Sequence, residues 1–181
     1  MVRARTEPYA VTRLRSVAFL LLLGLLLTVC SSLRPIRRLP PWGWPDWVMM
    51  LTVYLALRAE LWLASLTAFA LGGFKNALGL GPDGIDQLAL LLAAGAVKLL
   101  SRSLKLLEPT AAGLLTGALD LLKNAIFMPG FMTLMNWPYP VSAVILAACL
   151  GQAVMTGVAA SFFFGVLDRL FAADYARRSS A

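Results

Sequence analysis

The sequence contains no histidine, only two cysteines and few charged residues, which make up 14% of its 181 residues. Without histidine, His-based acid–base catalysis, His-containing catalytic triads and His metal sites are excluded. Cys30 and Cys149 lie alone within apolar runs. A disulfide framework or a zinc site needs more cysteines at closer spacing. We therefore expect no enzymatic activity, no cofactor and no metal ion.

The chain is instead rich in hydrophobic residues, which account for 60% of the sequence at a mean hydropathy of +0.78. A soluble domain has about 45–50% apolar and about 25% charged residues, and a small domain leaves much of its surface exposed. A protein of this size could not bury so much apolar surface in water. The composition therefore predicts an integral membrane protein.

The net charge is +7, because there are 16 Lys and Arg residues against 9 Asp and Glu residues. In a soluble protein this excess suggests binding to nucleic acid. Here the cations lie at the ends of apolar stretches, which is typical of membrane topology. We therefore expect membrane lipid, and no nucleic acid, among the partners.

The apolar runs predict an all-α membrane protein with six transmembrane helices at 17–33, 47–57, 61–74, 87–107, 109–128 and 141–167. Arg58-Ala59-Glu60 interrupts the second run. If residues 47–74 formed one helix, it would be about 42 Å long, longer than the roughly 30 Å of bilayer hydrocarbon. Two short helices with a tight turn let these charges reach water, and six spans place most of the cations on the inner side.

This topology divides the chain into a basic cytoplasmic N-terminal segment at 1–16, one six-helix transmembrane domain at 17–170 and a cytoplasmic C-terminal tail at 171–181. Both termini are then cytoplasmic. The basic segment and the apolar run after it also describe a cleaved signal peptide. We expect the first helix to be retained, because further spans follow it.

Asp120 is the most informative polar residue, because it lies about 16 Å into its predicted helix, in the middle of the membrane. Lys123 is three residues further on the same face. A weak internal repeat aligns Lys75-Asn76 with Lys123-Asn124, so Lys75 and Asn76 could join these side chains from the third helix. The cluster could bind a solute or a partner, or it could be a structural pair that sets helix register.

Small residues recur along the last two predicted helices, where they let helix backbones approach closely in lipid. The positions are Gly113 and Gly117 in the fifth helix, and Ala153, Gly157, Ser161 and Gly165 in the sixth. This stripe could pack inside the protein or against the membrane helix of a partner.

Three cations form one face at the inner end of the fourth helix, because Lys98, Arg102 and Lys105 have helical spacing. Such a face is expected to attract anionic lipid. It could also contact a cytoplasmic partner.

The order of these features resembles the rod shape-determining protein MreD family. The resemblance covers residues 36–130 and rests on Trp44-Pro45-Asp46-Trp47, a short Val48–Leu57 helix containing Tyr54, the Ala68–Phe74 helix, the Gly-rich turn at 79–84, and Ala112–Phe127 with Asp120. Such sequences usually place an acid near the end of the third helix, where this chain has Lys75-Asn76. Asp120 matches their second acidic position.

The resemblance implies a non-enzymatic inner-membrane subunit of the bacterial cell-elongation (rod) complex, which maintains cell shape and lateral peptidoglycan synthesis. Its implied partners are an MreC-like membrane protein and, further off, MreB, RodA and a penicillin-binding transpeptidase. The implied fold is a compact six-helix bundle similar to the substrate-binding subunits of energy-coupling-factor transporters. A vitamin-binding subunit of such a transporter is therefore the alternative function.

Overall fold

A computed structural model describes residues 7–32, 44–78, 84–103, 108–136 and 142–179, and these ranges contain helices, turns and no strand. The prediction of an all-α chain is confirmed for this part of the protein. The helices are α1 (Glu7–Ser32), α2 (Trp47–Arg58), α3 (Leu61–Ala77), α4 (Ile85–Ser103), α5 (Pro109–Leu134) and α6 (Ala143–Ser179).

Two helices extend well beyond the predicted apolar spans. α1 begins at Glu7, inside the segment that was expected only to be basic, and α6 continues to Ser179 through most of the predicted tail. Hydrophobic patterning locates the apolar part of a helix. Its hydrogen-bonded backbone can continue through Ala, Arg and Glu, which are good helix formers.

Membrane-length helices occur at two places in the described ranges. Pro109–Leu134, with 26 residues, and Ala143–Arg169, with 27 residues, are long and apolar enough to cross a bilayer. α2 has 12 residues and is shorter. Large apolar side chains lie exposed on α1, α3, α4, α5 and α6.

The described residues fall into two compact units. The first unit comprises α1, α2, α3 and α4 as far as Lys98. α2 forms its core, since α1 and α3 both pack on α2 and nine consecutive α2 residues, 48–56, are buried. α1 approaches closely at Gly24, where an added Cβ would lie 2.8 Å from Leu71 and 2.9 Å from Leu51.

The second unit comprises residues 44–46, the end of α4 from Leu99, α5 and α6. Its main contact is between α5 and α6. The two backbones meet at glycines, because an added Cβ on Gly117 would lie 2.7 Å from the Ala153 carbonyl oxygen and 3.2 Å from Gly157 Cα. Gly113 meets Gly157 and Ser161 in the same way. Any larger side chain would separate the helices.

α5 changes helix type partway along, at a π-helical turn over Lys123–Phe127. Pro129 follows six residues after Lys123 and has no N–H to donate, and its ring would collide with the carbonyl four residues earlier in a regular α-helix. A π turn accommodates such an interruption without ending the helix. α5 therefore continues to Leu134, six residues beyond the predicted end of the span.

We expect Gly117→Ala to destabilise the protein by about 1–3 kcal/mol, because the added methyl group meets backbone atoms that cannot move independently. Gly165→Ala is the matched control, since no heavy atom lies within 4 Å of its Cβ position. The free energy of unfolding should be measured in mild detergent by circular dichroism. Equal stability of both variants would contradict the close packing of α5 on α6.

Candidate functional site

Five polar residues of the second unit form a buried cluster, which we name the buried polar cluster. Its members are Asp46, Asp120, Lys123, Asn124 and Thr156. Asp120 and Thr156 are fully buried, and Lys123 is 4% exposed. The cluster therefore places at least three ionisable groups inside an otherwise apolar helix pair.

Asp120 accepts hydrogen bonds on both carboxylate oxygens. Asn124 Nδ2 donates to Oδ1 at 2.9 Å, and Thr156 Oγ1 donates to Oδ2 at 2.9 Å. Lys123 Nζ lies 3.5 Å from Oδ1 as an ion-pair partner. Three side chains, two on α5 and one on α6, thus contact this carboxylate.

Asp46 connects the segment before α2 to both long helices. Its carboxylate accepts a hydrogen bond from Lys123 Nζ in a buried ion pair. Its backbone N–H donates to Thr156 Oγ1 at 3.0 Å. The Thr156 hydroxyl therefore accepts a hydrogen bond from Asp46 and donates one to Asp120, and so it links these two residues.

Helical spacing explains how the sequence brings these groups together. Asp120 lies three and seven residues after Gly117 and Gly113, on the buried face of α5. On α6, Thr156 is adjacent to Gly157 and three residues after Ala153. Because glycines set the close approach of the two helices, short side chains on these faces come within hydrogen-bonding distance.

Each of these groups can be buried at an acceptable energetic cost only because the others pair with it. A charge transferred from water to an apolar interior costs several kcal/mol unless it is paired and hydrogen-bonded. Lys123 contacts two carboxylates, and Asp120 accepts from two donors as well as facing Lys123. Removing one member leaves at least one other buried polar group without one of its partners. The cluster therefore favours one register of α5 against α6.

Sequence reasoning identified Asp120 and Lys123 but missed Asp46, Asn124 and Thr156 as members of one site. Asp46 was noted only within the Trp44-Pro45-Asp46-Trp47 motif. Thr156 could have been found from its place beside Gly157 on the small-residue face. Asp46 carried no comparable signal, since 74 residues separate it from Asp120 in the sequence and only the fold unites them.

The structure places Lys75 in the first unit, where its Nζ donates to Asp86 Oδ1 at 3.1 Å. Asp86 is fully buried, and the Lys75 side chain is 17% exposed. Asn76 Oδ1 is buried and has no hydrogen-bond partner among the described residues. Each lysine of the weak repeat thus pairs with aspartate, Lys75 with Asp86 and Lys123 with Asp46 and Asp120.

Lys98, the first residue of the predicted cationic face, binds backbone carbonyl groups of the first unit. Its Nζ donates to the carbonyl oxygens of Ala59 at 2.8 Å and Ala56 at 3.3 Å. These carbonyls lie at the end of α2, where a cation compensates the negative end of the helix dipole. Lys105 and the side chain of Arg102 lie outside the described residues.

The small-residue positions separate into two groups. Four of them meet the opposing helix at backbone distance: Gly113 and Gly117 on α5, and Ala153 and Gly157 on α6. Ser161 Oγ lies against Gly113 and donates to the Gly157 carbonyl at 3.1 Å. Gly165 has no heavy atom within 4 Å of its Cβ position. The face that carries Gly157 is therefore occupied by α5 of the same chain.

No protein-family model, no curated protein and no solved structure matches this chain. Among the described residues, no group of three or more Cys, Asp or Glu side chains could hold a metal ion. The site is thus characterised by its geometry: two carboxylates, one ammonium group, an amide and a hydroxyl that bind one another between helices.

We expect Asp120→Ala to reduce the free energy of unfolding by about 1–3 kcal/mol, because it leaves the Thr156 hydroxyl and the Asn124 amide without their acceptor and removes one of the two carboxylates beside Lys123. The control is Glu108→Ala, which removes an exposed acid with no capping hydrogen bond. That control should stay within about 0.5 kcal/mol. The measurement is thermal or denaturant unfolding in mild detergent. Unchanged stability of Asp120→Ala would refute a structural role for the cluster.

A double-mutant cycle between Asp120→Ala and Thr156→Val should give a coupling free energy of about 0.5–3 kcal/mol, since the two side chains share a direct hydrogen bond. Thr156→Val keeps the shape of the side chain and replaces the hydroxyl by a methyl group, which also removes the acceptor of the Asp46 backbone N–H. Pairing Asp120→Ala with Thr133→Val provides the control cycle, because the Thr133 hydroxyl donates to the Pro129 carbonyl at the exposed end of α5. Additive effects in the first cycle would show that the hydrogen bond is not formed.

Proposed function

We propose that this protein is a non-enzymatic, multi-pass subunit of the bacterial inner membrane that acts as a helical scaffold in the cell-elongation complex. The observation that carries the proposal is the buried polar cluster, whose side chains bind one another between α5 and α6. A scaffold needs a fixed helix arrangement with an apolar exterior, and the cluster and the exposed apolar side chains provide these two properties.

The geometry of Asp120 favours a structural role over solute binding. A residue that coordinates a solute presents polar atoms to an open cleft. Both Asp120 oxygens instead accept hydrogen bonds from Asn124 and Thr156, and Lys123 lies beside them. This arrangement supports a scaffold more than the vitamin-binding subunit of an energy-coupling-factor transporter.

Six spans with both termini in the cytoplasm are part of the proposal. α5 and α6 have the length and hydropathy of spanning helices. The shorter α2, α3 and α4 and the N-terminal α1 would complete the six. The apolar exterior that this requires is seen at positions such as Leu114, Val154 and Phe162, which are 76%, 63% and 75% exposed.

The partner of this scaffold would be an MreC-like protein with a single membrane span, and MreB, RodA and a penicillin-binding transpeptidase would belong to the same assembly. Because Gly157 packs on Gly113 and Gly117, a partner helix would have to dock on an outward apolar face. The exposed side of α6, with Val154, Val158 and Phe162, is such a face.

We expect a mild-detergent pull-down of the tagged protein from its native membranes to recover an MreC-like protein or the wall-synthesis enzymes, as identified by mass spectrometry. Phe162→Ser should reduce this recovery if the outer face of α6 is used, while Leu114→Ser is a control of equal exposure on α5. Recovery of ATPase subunits with a transmembrane coupling protein would instead establish vitamin uptake and reject the scaffold.

A further inference from the structure

The middle of α6 carries three polar side chains, and one of them differs from the other two. The Thr156 hydroxyl donates to Asp120 at 2.9 Å. The Ser161 hydroxyl donates to the Gly157 carbonyl at 3.1 Å. The carboxamide of Gln152, in contrast, makes no hydrogen bond to any residue of the described ranges. Because Gln152 is only half-buried, part of this polar group faces away from the protein.

Gln152 lies deep within a helix long enough to span the membrane. It is nine residues after Ala143, the first residue of α6, and so about 14 Å along the helix, inside the apolar span Ala143–Arg169. In hydrocarbon, no water can satisfy the donors and the acceptor of a carboxamide, and leaving them unpaired costs free energy. A glutamine side chain is too short to extend from this depth to an interface, as lysine can. The carboxamide therefore needs a hydrogen-bonding group from outside this chain.

Gln152 begins a line of residues on one side of α6, which we name the Gln152 stripe: Gln152, Met155, Ala159, Phe162 and Val166. Their spacing alternates between three and four residues, which is the period of two helices that pack along a common seam. Met155, Phe162 and Val166 are 43%, 75% and 53% exposed, and Gln152 and Ala159 are half-buried. The stripe is therefore open to a second helix, at the small crossing angle common in membrane bundles.

The stripe lies on the side of α6 that faces away from α5. Gly157, which packs on α5, is two residues from Met155 and from Ala159, and so about 160° around the helix from each of them. A helix that packs on the stripe would therefore leave the contact between α5 and α6 intact. Ala148 continues the same spacing toward the start of α6, but it is only 8% exposed. The open part of the stripe thus begins at Gln152.

A second copy of this chain has the chemistry that the stripe requires. Two copies with the same membrane topology are related by a two-fold axis along the membrane normal, so their α6 helices run parallel and each residue near the axis meets its own counterpart. A carboxamide both donates and accepts hydrogen bonds, so two Gln152 side chains satisfy each other. The stripe contains no charged residue, and self-pairing therefore brings no like charges together.

We propose that the protein forms a parallel dimer through the Gln152 stripe, in which the two Gln152 carboxamides exchange hydrogen bonds. Ala159 lets the two helices approach closely, and a single polar residue in an apolar seam fixes their register. This inference rests on the membrane location in the proposed function. It adds an interface that the scaffold role alone does not require, and that interface shares only Phe162 with the outer face suggested for an MreC-like partner.

The first test is disulfide cross-linking in native membranes. Met155→Cys and Ala159→Cys are each made in a background with Cys30→Ser and Cys149→Ala, and the membranes are oxidised with copper phenanthroline. We expect both variants to give a disulfide-linked dimer of this chain. Val154→Cys, at a position that is 63% exposed but lies off the stripe, should remain monomeric. Absence of cross-linking at both stripe positions, or equal cross-linking at Val154, would overturn the proposal.

The second test measures the dimer dissociation constant of the purified full-length chain. Copies labelled with donor and acceptor dyes are reconstituted in liposomes at falling protein-to-lipid ratios, and resonance energy transfer reports the dimer. Gln152→Leu should raise the dissociation constant about 5–30-fold, which is the effect of losing an interhelical amide contact in lipid. Gln152→Asn should keep part of the affinity, and Val154→Leu should leave it unchanged. An unaltered dissociation constant for Gln152→Leu would contradict the proposal.

The stability of the monomer gives an independent readout. Because Gln152 has no hydrogen bond within the described chain, Gln152→Leu should leave the unfolding midpoint unchanged or raise it in dilute detergent, where the protein is monomeric. A lowered midpoint would show that the carboxamide binds within its own chain, and it would overturn the proposal.

These outcomes can be separated from those of the proposed function. A chain that stays monomeric in liposomes but recovers an MreC-like protein from native membranes would reject only the dimer. A chain that dimerises through the stripe but recovers ATPase subunits with a transmembrane coupling protein would support the dimer and reject the scaffold.

Discussion

Lys123 is an ammonium group buried in a helix pair made mostly of Leu, Ala, Val and Gly, and it lies between the carboxylates of Asp46 and Asp120. Without those partners a buried charge would cost several kcal/mol, so each of the three segments involved has to stay in place. The segment before α2 supplies Asp46, α5 supplies Asp120 and Lys123, and α6 supplies the Thr156 hydroxyl that joins the two acids. The glycine contacts between α5 and α6 bring these short side chains within hydrogen-bonding distance.

The glycines of α5 and α6 make these short hydrogen bonds between the helices possible. Asp, Thr and Asn have short side chains, and helices separated by Leu or Phe would hold them too far apart to bond. Because Gly117 lies against Ala153 and Gly157, the helix backbones approach closely enough for Thr156 Oγ1 to donate to Asp120 at 2.9 Å. Close packing and polar pairing therefore stabilise the same register of α5 against α6. In lipid, where apolar side chains gain little by leaving the solvent, this combination is the main means of specific helix association.

The two units use charge differently. In the second unit, charges lie within the helix pair and hold it together. In the first unit, Lys75 near the end of α3 pairs with Asp86 at the start of α4, and Lys98 binds carbonyl groups at the end of α2. The same residue types therefore connect the middle of a helix pair in one unit and the ends of helices in the other. Hydropathy alone treats both as interruptions of an apolar run.

The sequence by itself determined that the described chain is helical, that Arg58-Ala59-Glu60 separates two helices, and that Asp120 and Lys123 share a face of α5. These follow from local rules, namely the period of the helix, charge in an apolar run and residue spacing. Only the tertiary structure decided that Asp46 and Thr156 complete the cluster, that Lys75 pairs with Asp86, and that α5 continues past Pro129 through a π turn. The cluster depends on segments that are 36 to 110 residues apart in the sequence, and no local pattern specifies that they meet, because a buried charge selects its partner by distance in the fold.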